Sequence, residues 1–584
     1  MHAFANLDRD TNKEMKKSYV HGCTSTALLF ETIGQRMRMA ATKFPDRTFV
    51  IFKREGIQKT YKEVLEDSEK LALGLIHLGM KQGDRVGIWA PNTYEWITTQ
   101  FGAALAGLIL VNVNPMYQLE DLSYALANVG IKVLIAPPAF KRSEYYKILC
   151  TLIPGLEHAP RGEGQVKTAI FPQLQHLILF DAENRVFNGT WSYSHVMQMG
   201  TDSNRMQLAQ IEQNILFDAP ANIQYTSGTT GKPKGAILTH HNIVNNAYFV
   251  GLRSGYHEKR SIICIPNPLY HCFGCVMGSL SALIHFQTCV FPAPSFEPLA
   301  ALQAIDEEKC TAVYGTPTMF IDMMNHAEYP TYDYSSIISG IIAGAPCPVT
   351  LCTKLVNEFG MRDLQVCYGT TETSPVSFMS IREDPPEERI RNVGHIMDHL
   401  EAAIVDKAGK IVQRGEKGQV LVRGYSVMQG YWGDIEQSAI TEDRWYHTGD
   451  IGVMHAQGTV SIVGRSKDMI VRGGENIYPT EVEQFLDKHP DIDDVQIIGV
   501  PDERFGEVVC AWIRLKQGTT TTEEDIRAYC QGKIAHFKIP KYIFFKEANE
   551  FPMTATGKIK KYKMRETSKQ ALQLYSIALN KIVT

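Results

Sequence analysis

The chain has few cysteines, no unbroken apolar run of membrane-spanning length, and no large excess of either charge. Twelve cysteines among 584 residues are too sparse for a disulfide framework and suit a reducing compartment. Cys272 and Cys275 form one C-x-x-C beside His271, but no second ligand pair stands at zinc-site spacing, so they read as small core residues. A formal net charge of −4 argues against a general affinity for nucleic acid. Residues 261–296 hold no Asp, Glu, Lys or Arg, yet Pro266, Pro268, His271, Gly274 and His285 interrupt them. That pattern reads as a buried strand, a turn and a core helix, with no transmembrane segment. The first residues lack an apolar signal core, and Asp8, Asp10 and Glu14 are unlike a transit peptide. The final Ile-Val-Thr is not the peroxisomal Ser-Lys-Leu address. The sequon Asn188-Gly189-Thr190 has no secretory context to make it a modification site.

The length exceeds what one hydrophobic core supports, so at least two domains follow. From about Thr24, helix and strand patterns alternate. Helices are expected at 33–44, 61–78 (opened by the capping box Thr60-x-x-Glu63), 94–106 and 121–128, and strands at 48–53, 85–89, 108–113 and 133–136. A second series of short apolar runs extends from Asn222 to Tyr368. The alternation implies an α/β fold of mostly parallel sheets covered by helices. Between Gly394 and Val463, short strands with Gly turns imply a small antiparallel barrel or sheet. After Arg465 the chain restarts as a compact α+β unit, in which Thr480-x-x-Glu483 is read as a helix cap. The expected divisions are an N-terminal arm (1–23), a large domain (24–466) and a small C-terminal domain (467–584).

The strongest local signal is Thr226-Ser227-Gly228-Thr229-Thr230-Gly231-Lys232-Pro233-Lys234-Gly235, which follows the strand pattern Ile223–Tyr225. Glycines let a backbone turn closely around a phosphate, N–H and hydroxyl groups donate to its oxygens, and lysines offset its charge. The segment has no G-x-x-x-x-G-K-[ST] and is not a Walker A loop.

This segment resembles the phosphate loop of the adenylate-forming (AMP-binding) superfamily, and the superfamily's other motifs follow in order. Tyr368-Gly369-Thr370-Thr371-Glu372 is similar to its Y-G-x-T-E motif, and Thr448-Gly449-Asp450 to its T-G-D. Gly464-Arg465-Ser466-Lys467-Asp468 with Gly473-Gly474 resembles its hinge region, and Pro552–Lys558 its C-terminal lysine motif. Three further segments (267–272, 314–320 and 536–542) are closest to the mitochondrial medium-chain acyl-CoA ligases within that superfamily.

The resemblance implies ATP, Mg²⁺ and coenzyme A as reaction partners, with a fatty acid as substrate. It assigns ATP binding to residues 226–234, Ala345, Tyr368, Asp450, Arg465 and Lys558. Thr371 would donate to the α-phosphate, and Glu372 is the implied metal ligand, a hard oxygen donor of the kind Mg²⁺ prefers. Lys558 is the implied catalytic cation, stabilising charge that builds on the phosphoryl oxygens. Its neighbours Lys560, Lys561, Lys563 and Arg565 read as a solvated basic tail. Lys467 is the implied hinge about which a mobile small domain turns, and Gly473 and Gly474 would line a coenzyme A channel. His271, Gly274 and Thr316 are the implied acyl pocket. The absence of Asp and Glu from residues 261–296 disfavours an amino-acid substrate, whose buried ammonium needs a carboxylate. Aryl or short-chain acids stay open, as does a nucleotide-binding protein without catalysis. The location the resemblance implies is mitochondrial, otherwise cytoplasmic. Oligomeric state is not legible.

Overall fold

The computed structural model describes residues 16–226, 233–434, 439–473, 475–502, 504–554 and 558–583, with residues 573–583 described by backbone alone. Among the described residues, three sheets form a large lobe and a fourth forms a small one. The first sheet has eight strands, ordered Gly430–Tyr431, Lys234–Thr239, Pro220–Thr226, Ile109–Val113, Arg85–Trp89, Val133–Ala136, His176–Leu179 and Trp191–Ser192. From Pro220–Thr226 onward every pairing is parallel. Ile109–Val113 and Val133–Ala136 are buried at every position, as parallel strands covered by helices on both faces must be. The second sheet has nine strands and is parallel across its middle, from Thr48–Phe52 to Asp363–Gly369, with antiparallel strands at both edges.

Local chemistry sets the helix starts. Thr60 accepts from the Glu63 N–H while the Glu63 carboxylate accepts from the Thr60 N–H, so helix Tyr61–His77 begins where the capping box places it. The uncharged stretch folds as strand Ile262–Cys264, a wide π-type helix Phe273–Leu280, a short α-helix Ser281–Ile284 and a second strand Thr288–Phe291, almost all of it buried. No described helix is long and apolar enough to cross a membrane.

A five-stranded antiparallel sheet stands where the sequence places the small barrel. Its edge is Tyr19–His21, which lies in the segment read as an arm and pairs with Leu400–Val405. Three residues are too few to show a strand period, which is why the pattern is silent there.

The small lobe is built on the long hairpin of Ile492–Asp502 and Gly506–Leu515, joined by Tyr542–Phe545 and two short strands. Its first helix is Pro479–Leu486, with Tyr478 at the N-cap. The Thr480 cap is therefore a misreading: Pro479, its φ already helical, starts the helix one residue earlier and puts Thr480 in the first turn. The tail after Lys558 is a helix, Lys561–Val583, rather than a wholly solvated run. Lys561 Nζ lies 2.6 Å from buried Glu483, and Arg565 holds Asp468 at 2.8 Å. The lobes also meet through Lys417 of the large one, which pairs with Glu481 of the small one.

Candidate active site

The phosphate hairpin leaves the sheet at the carboxyl end of a parallel strand, the usual ligand position in α/β folds. Pro220–Thr226 and Lys234–Thr239 pair antiparallel with Thr226 opposite Lys234, and the Thr226 hydroxyl donates to the Lys234 carbonyl at 3.4 Å. Buried Ile223, Ala236 and Leu238 anchor both arms. Pro233 is half-buried, and exposed Lys234 reaches Asp434 at 4.0 Å over the ring of Tyr431. Ser227, Gly228, Thr229, Thr230, Gly231 and Lys232 lie outside the described residues.

Strand Asp363–Gly369 delivers Tyr368 and then turns sharply through Thr371–Thr373. Gly369 is required at the bend, because a Cβ there would lie 1.7 Å from the Pro375 carbonyl oxygen. The turn buries Glu372, only 8% exposed, and Tyr431 donates its hydroxyl to Glu372 Oε1 at 2.6 Å. Tyr431 sits on the strand that pairs with Lys234–Thr239, so one side chain ties the carboxylate to the phosphate hairpin. Among the described residues no three His, Cys, Asp or Glu converge on a common point. A single carboxylate with one oxygen held fits an ion bound mainly by substrate phosphates and water, as Mg²⁺ commonly is.

Asp450 and Arg465 face each other across an antiparallel pair. Tyr368 donates to Asp450 Oδ2 at 2.5 Å, and Arg465 Nε lies 3.4 Å from Oδ1. Burial raises the Asp450 pKa above the usual aspartate range, while Arg465 and Tyr368 pull it back.

Lys558 comes from the small lobe and reaches this cluster. The Thr554 N–H donates to its carbonyl at 2.7 Å, and its own N–H donates to Thr554 Oγ1 at 3.0 Å, fixing the turn that carries it. Burial first, and the positive charge of Arg465 second, lower its pKa to about 8, against the pull of Asp450, Glu372 and Asp468. The structure thus brings Tyr368, Glu372, Asp450, Arg465 and Lys558 into one electrostatic unit drawn from both lobes.

His271 borders that unit: burial, and then Lys558, hold its imidazole down to about 4. Gly274 opens the wide helix where a Cβ would lie 2.3 Å from the Pro268 carbonyl oxygen. Thr316 is 5% exposed and caps helix Pro317–Met324. Gly344, at φ +88°, would carry a Cβ 3.5 Å from Thr316 Cγ2, so the turn before half-buried Ala345 lies against the acyl-side residues.

Lys467 lies in the short turn Ser466–Asp468, between the last strand of the large lobe and the first of the small one. Gly473, at φ +56°, donates its N–H to the Phe505 carbonyl at 2.8 Å within the small lobe, not toward the Lys558 cluster. Gly474 lies outside the described residues.

Four contributors escape a reading of the sequence. Tyr431 has no motif around it, Arg565 looks like one charge in a basic run, and Gln224 and Cys272 are joined by a buried hydrogen bond. Cys272 and Cys275 are buried, as their reading as small core residues expects.

The first family model to match the chain, described as AMP-binding enzyme, spans residues 37–432. The second, AMP-binding enzyme C-terminal domain, spans residues 481–558. The mitochondrial medium-chain acyl-CoA ligase ACSF2 of Danio rerio is 46% identical over 561 residues, covering 95% of this chain and 91% of that protein. The putative acyl-CoA synthetase YngI of Bacillus subtilis (strain 168) is 39% identical over 552 residues, covering 94% and 99%. In structure, the anthranilate CoA ligase AuaEII in complex with anthranoyl-AMP superposes with a TM-score of 0.82 at 25% identity, covering 94% of this chain and 99% of that one.

Proposed function

The chain belongs to the AMP-binding enzyme family, and on that premise we propose that it is an AMP-forming acid–coenzyme A ligase that activates medium-chain fatty acids. The observation that carries the reading is Lys558 of the small lobe, buried among Arg465, Asp450 and Glu372 of the large one.

In the first half-reaction the fatty carboxylate attacks the α-phosphorus of ATP. An acyl–oxygen–phosphorus link forms, and the bond to pyrophosphate breaks. Negative charge grows on the phosphoryl oxygens, and the Lys558 ammonium, preorganised in a water-poor site, offsets it. Thr371 donates to the α-phosphate. Residues 226–234 cradle the outer phosphates, and Glu372, oriented by Tyr431, is the side chain that would hold Mg²⁺. When bound, that ion neutralises phosphate charge. Asp450 accepts from the ribose hydroxyls, with Tyr368 and Arg465 fixing its two oxygens, and Ala345 forms a wall for adenine.

In the second half-reaction the coenzyme A thiolate attacks the acyl carbon, a thioester forms and AMP leaves. Lys558 has no part in this step. Rotation about Lys467 withdraws it and brings Gly473 and Gly474 to the site, where missing side chains admit the thiol.

The substrate class follows from the pocket wall. His271 is uncharged at neutral pH, and residues 261–296 carry no carboxylate to hold an ammonium. The Danio rerio relative is named a mitochondrial medium-chain acyl-CoA ligase, which supports the same chain length and compartment here. AMP release with coenzyme A and a C2–C18 acid series plus benzoate tests the reading. Activity should peak at medium chain length, and a preference for acetate or benzoate would replace the fatty-acid assignment.

A further inference from the structure

Behind the wall shared by nucleotide and acyl group lies a buried chain of side-chain amides in which every hydrogen is placed. Asn112, Asn222 and Gln224 are each no more than 4% exposed. Asn222 gives its two Nδ2 hydrogens to the Leu110 carbonyl at 2.9 Å and to Asn112 Oδ1 at 2.8 Å. Asn112 gives its own to the Tyr270 carbonyl at 3.0 Å and to Cys275 Sγ at 3.6 Å. Gln224 donates to Asn222 Oδ1 at 2.7 Å and to Cys275 Sγ at 3.3 Å, and its Oε1 accepts the Cys272 S–H at 2.9 Å. Each amide has one orientation that satisfies it, so the chain has a single arrangement.

Its ends are in two different places. Gln224 stands two residues before Thr226, on the strand that carries the phosphate hairpin. Cys272 follows His271 and precedes the wide helix, and the Thr371 side chain lies close enough to act on its thiol. We propose that Gln224 is a positioning residue, which acts through Cys272 to set the acyl wall and Thr371 in register with the phosphate hairpin. It thereby aligns the attacking carboxylate with the α-phosphorus. A buried cysteine pair whose thiols occupy defined hydrogen-bond positions is a spacer here, with no metal or redox duty required.

The proposal rests on the ligase reading and makes a distinction within it. Before adenylation the carboxylate and phosphate are separate molecules, and only the protein sets their geometry. Afterwards they share a covalent bond, and the strut is dispensable for thioester formation. A misplacement near 1 Å from outside the chemistry can cost about a hundredfold in rate.

The test uses the full-length enzyme and four proteins: wild type, Gln224→Leu, Cys272→Ala and Cys272→Ser. Pyrophosphate release from ATP and octanoate is followed in single turnover, and thioester formation is followed from synthetic octanoyl-AMP with coenzyme A. Gln224→Leu should lose about a hundredfold in the first and stay within about threefold of wild type in the second. Cys272→Ala should show the same selective loss to a smaller degree, and Cys272→Ser, which keeps a donor, should recover most of it. Should Gln224→Leu not fold, the Ala–Ser pair decides alone. Equal loss in both half-reactions, or loss in neither, overturns the inference while wild type remains active. A wild-type enzyme that releases no pyrophosphate overturns the ligase reading instead.

Discussion

The guanidinium of Arg465 acts on the ammonium of Lys558 across the seam between the lobes, and after burial it is the larger of the forces that hold Lys558 to a pKa of about 8. Arg465 is itself held beside Asp450 at 3.4 Å, so the like charge is fixed in place before the lysine arrives. Arg465 and Lys558 are matched by Asp450 and Glu372, so the cluster carries no formal excess of positive charge before substrate enters it.

An alkaline limit on the first half-reaction follows. With a pKa near 8 in place of the ordinary 10.5, the free enzyme loses its ammonium as pH rises through 8. The kcat/KM for pyrophosphate release should fall above that point, since this ratio reports free-enzyme ionisations. Thioester formation from supplied acyl-AMP should show no such limb, and Arg465→Met should move the limb upward. Between pH 8 and 10.5 the closed arrangement binds fewer protons than an open one, so closure itself strengthens with pH while catalysis weakens.

Acid weakens the large lobe through buried imidazoles. Burial holds His240 and His285 each down to about 4, and their rings are occupied as acceptor to the Ile33 N–H and partner to the Tyr248 carbonyl. A histidine depressed in the folded state contributes stability that is present above about 6.5 and lost as pH falls towards 4, up to about 3 kcal/mol for each ring. Thermal unfolding should shift downward across that window, and His285→Gln should flatten part of the slope.

Glu372→Gln should raise the Mg²⁺ concentration that half-saturates ATP–pyrophosphate exchange by about tenfold or more, because a neutral amide is a poor ligand for a hard cation. Tyr431→Phe leaves the carboxylate but frees its held oxygen, so a smaller shift in the same direction is expected. A Mg²⁺ titration of the exchange rate reads both.

Gly369→Ala forces a Cβ to within 1.7 Å of the Pro375 backbone, so it should cost about 4 kcal/mol or prevent folding. Gly34→Ala, where the nearest atom is a leucine methyl at 3.3 Å, should be mild by comparison. Unfolding temperatures of the two variants side by side check the contrast.

Much of this was legible in the chain because the determinants are local. Thr60 and Glu63 announce a helix start by their spacing, and Arg85–Trp89 is a buried strand by composition alone. The motif residues Tyr368, Glu372, Asp450, Arg465 and Lys558 could be named one by one. Their convergence could not, since Lys558, more than ninety residues beyond Arg465, reaches the cluster only by a contact between the lobes. Tyr431 and Gln224 were silent for a related reason: each acts through a hydrogen bond to a distant strand or turn, and neither residue type at that position signals it. The basic run after Lys558 misled because charge suggests solvent, whereas Lys561 and Arg565 are claimed by Glu483 and Asp468.

The most direct measurement is Lys558→Ala, with the two half-reactions followed separately. Loss of one preorganised donor at a developing oxyanion is worth about 3–4 kcal/mol, so pyrophosphate release should fall by about 10²–10³. Thioester formation from synthetic acyl-AMP and coenzyme A should stay near wild type. An equal fall in both, or an undiminished first step, would contradict the role assigned to the small lobe's lysine.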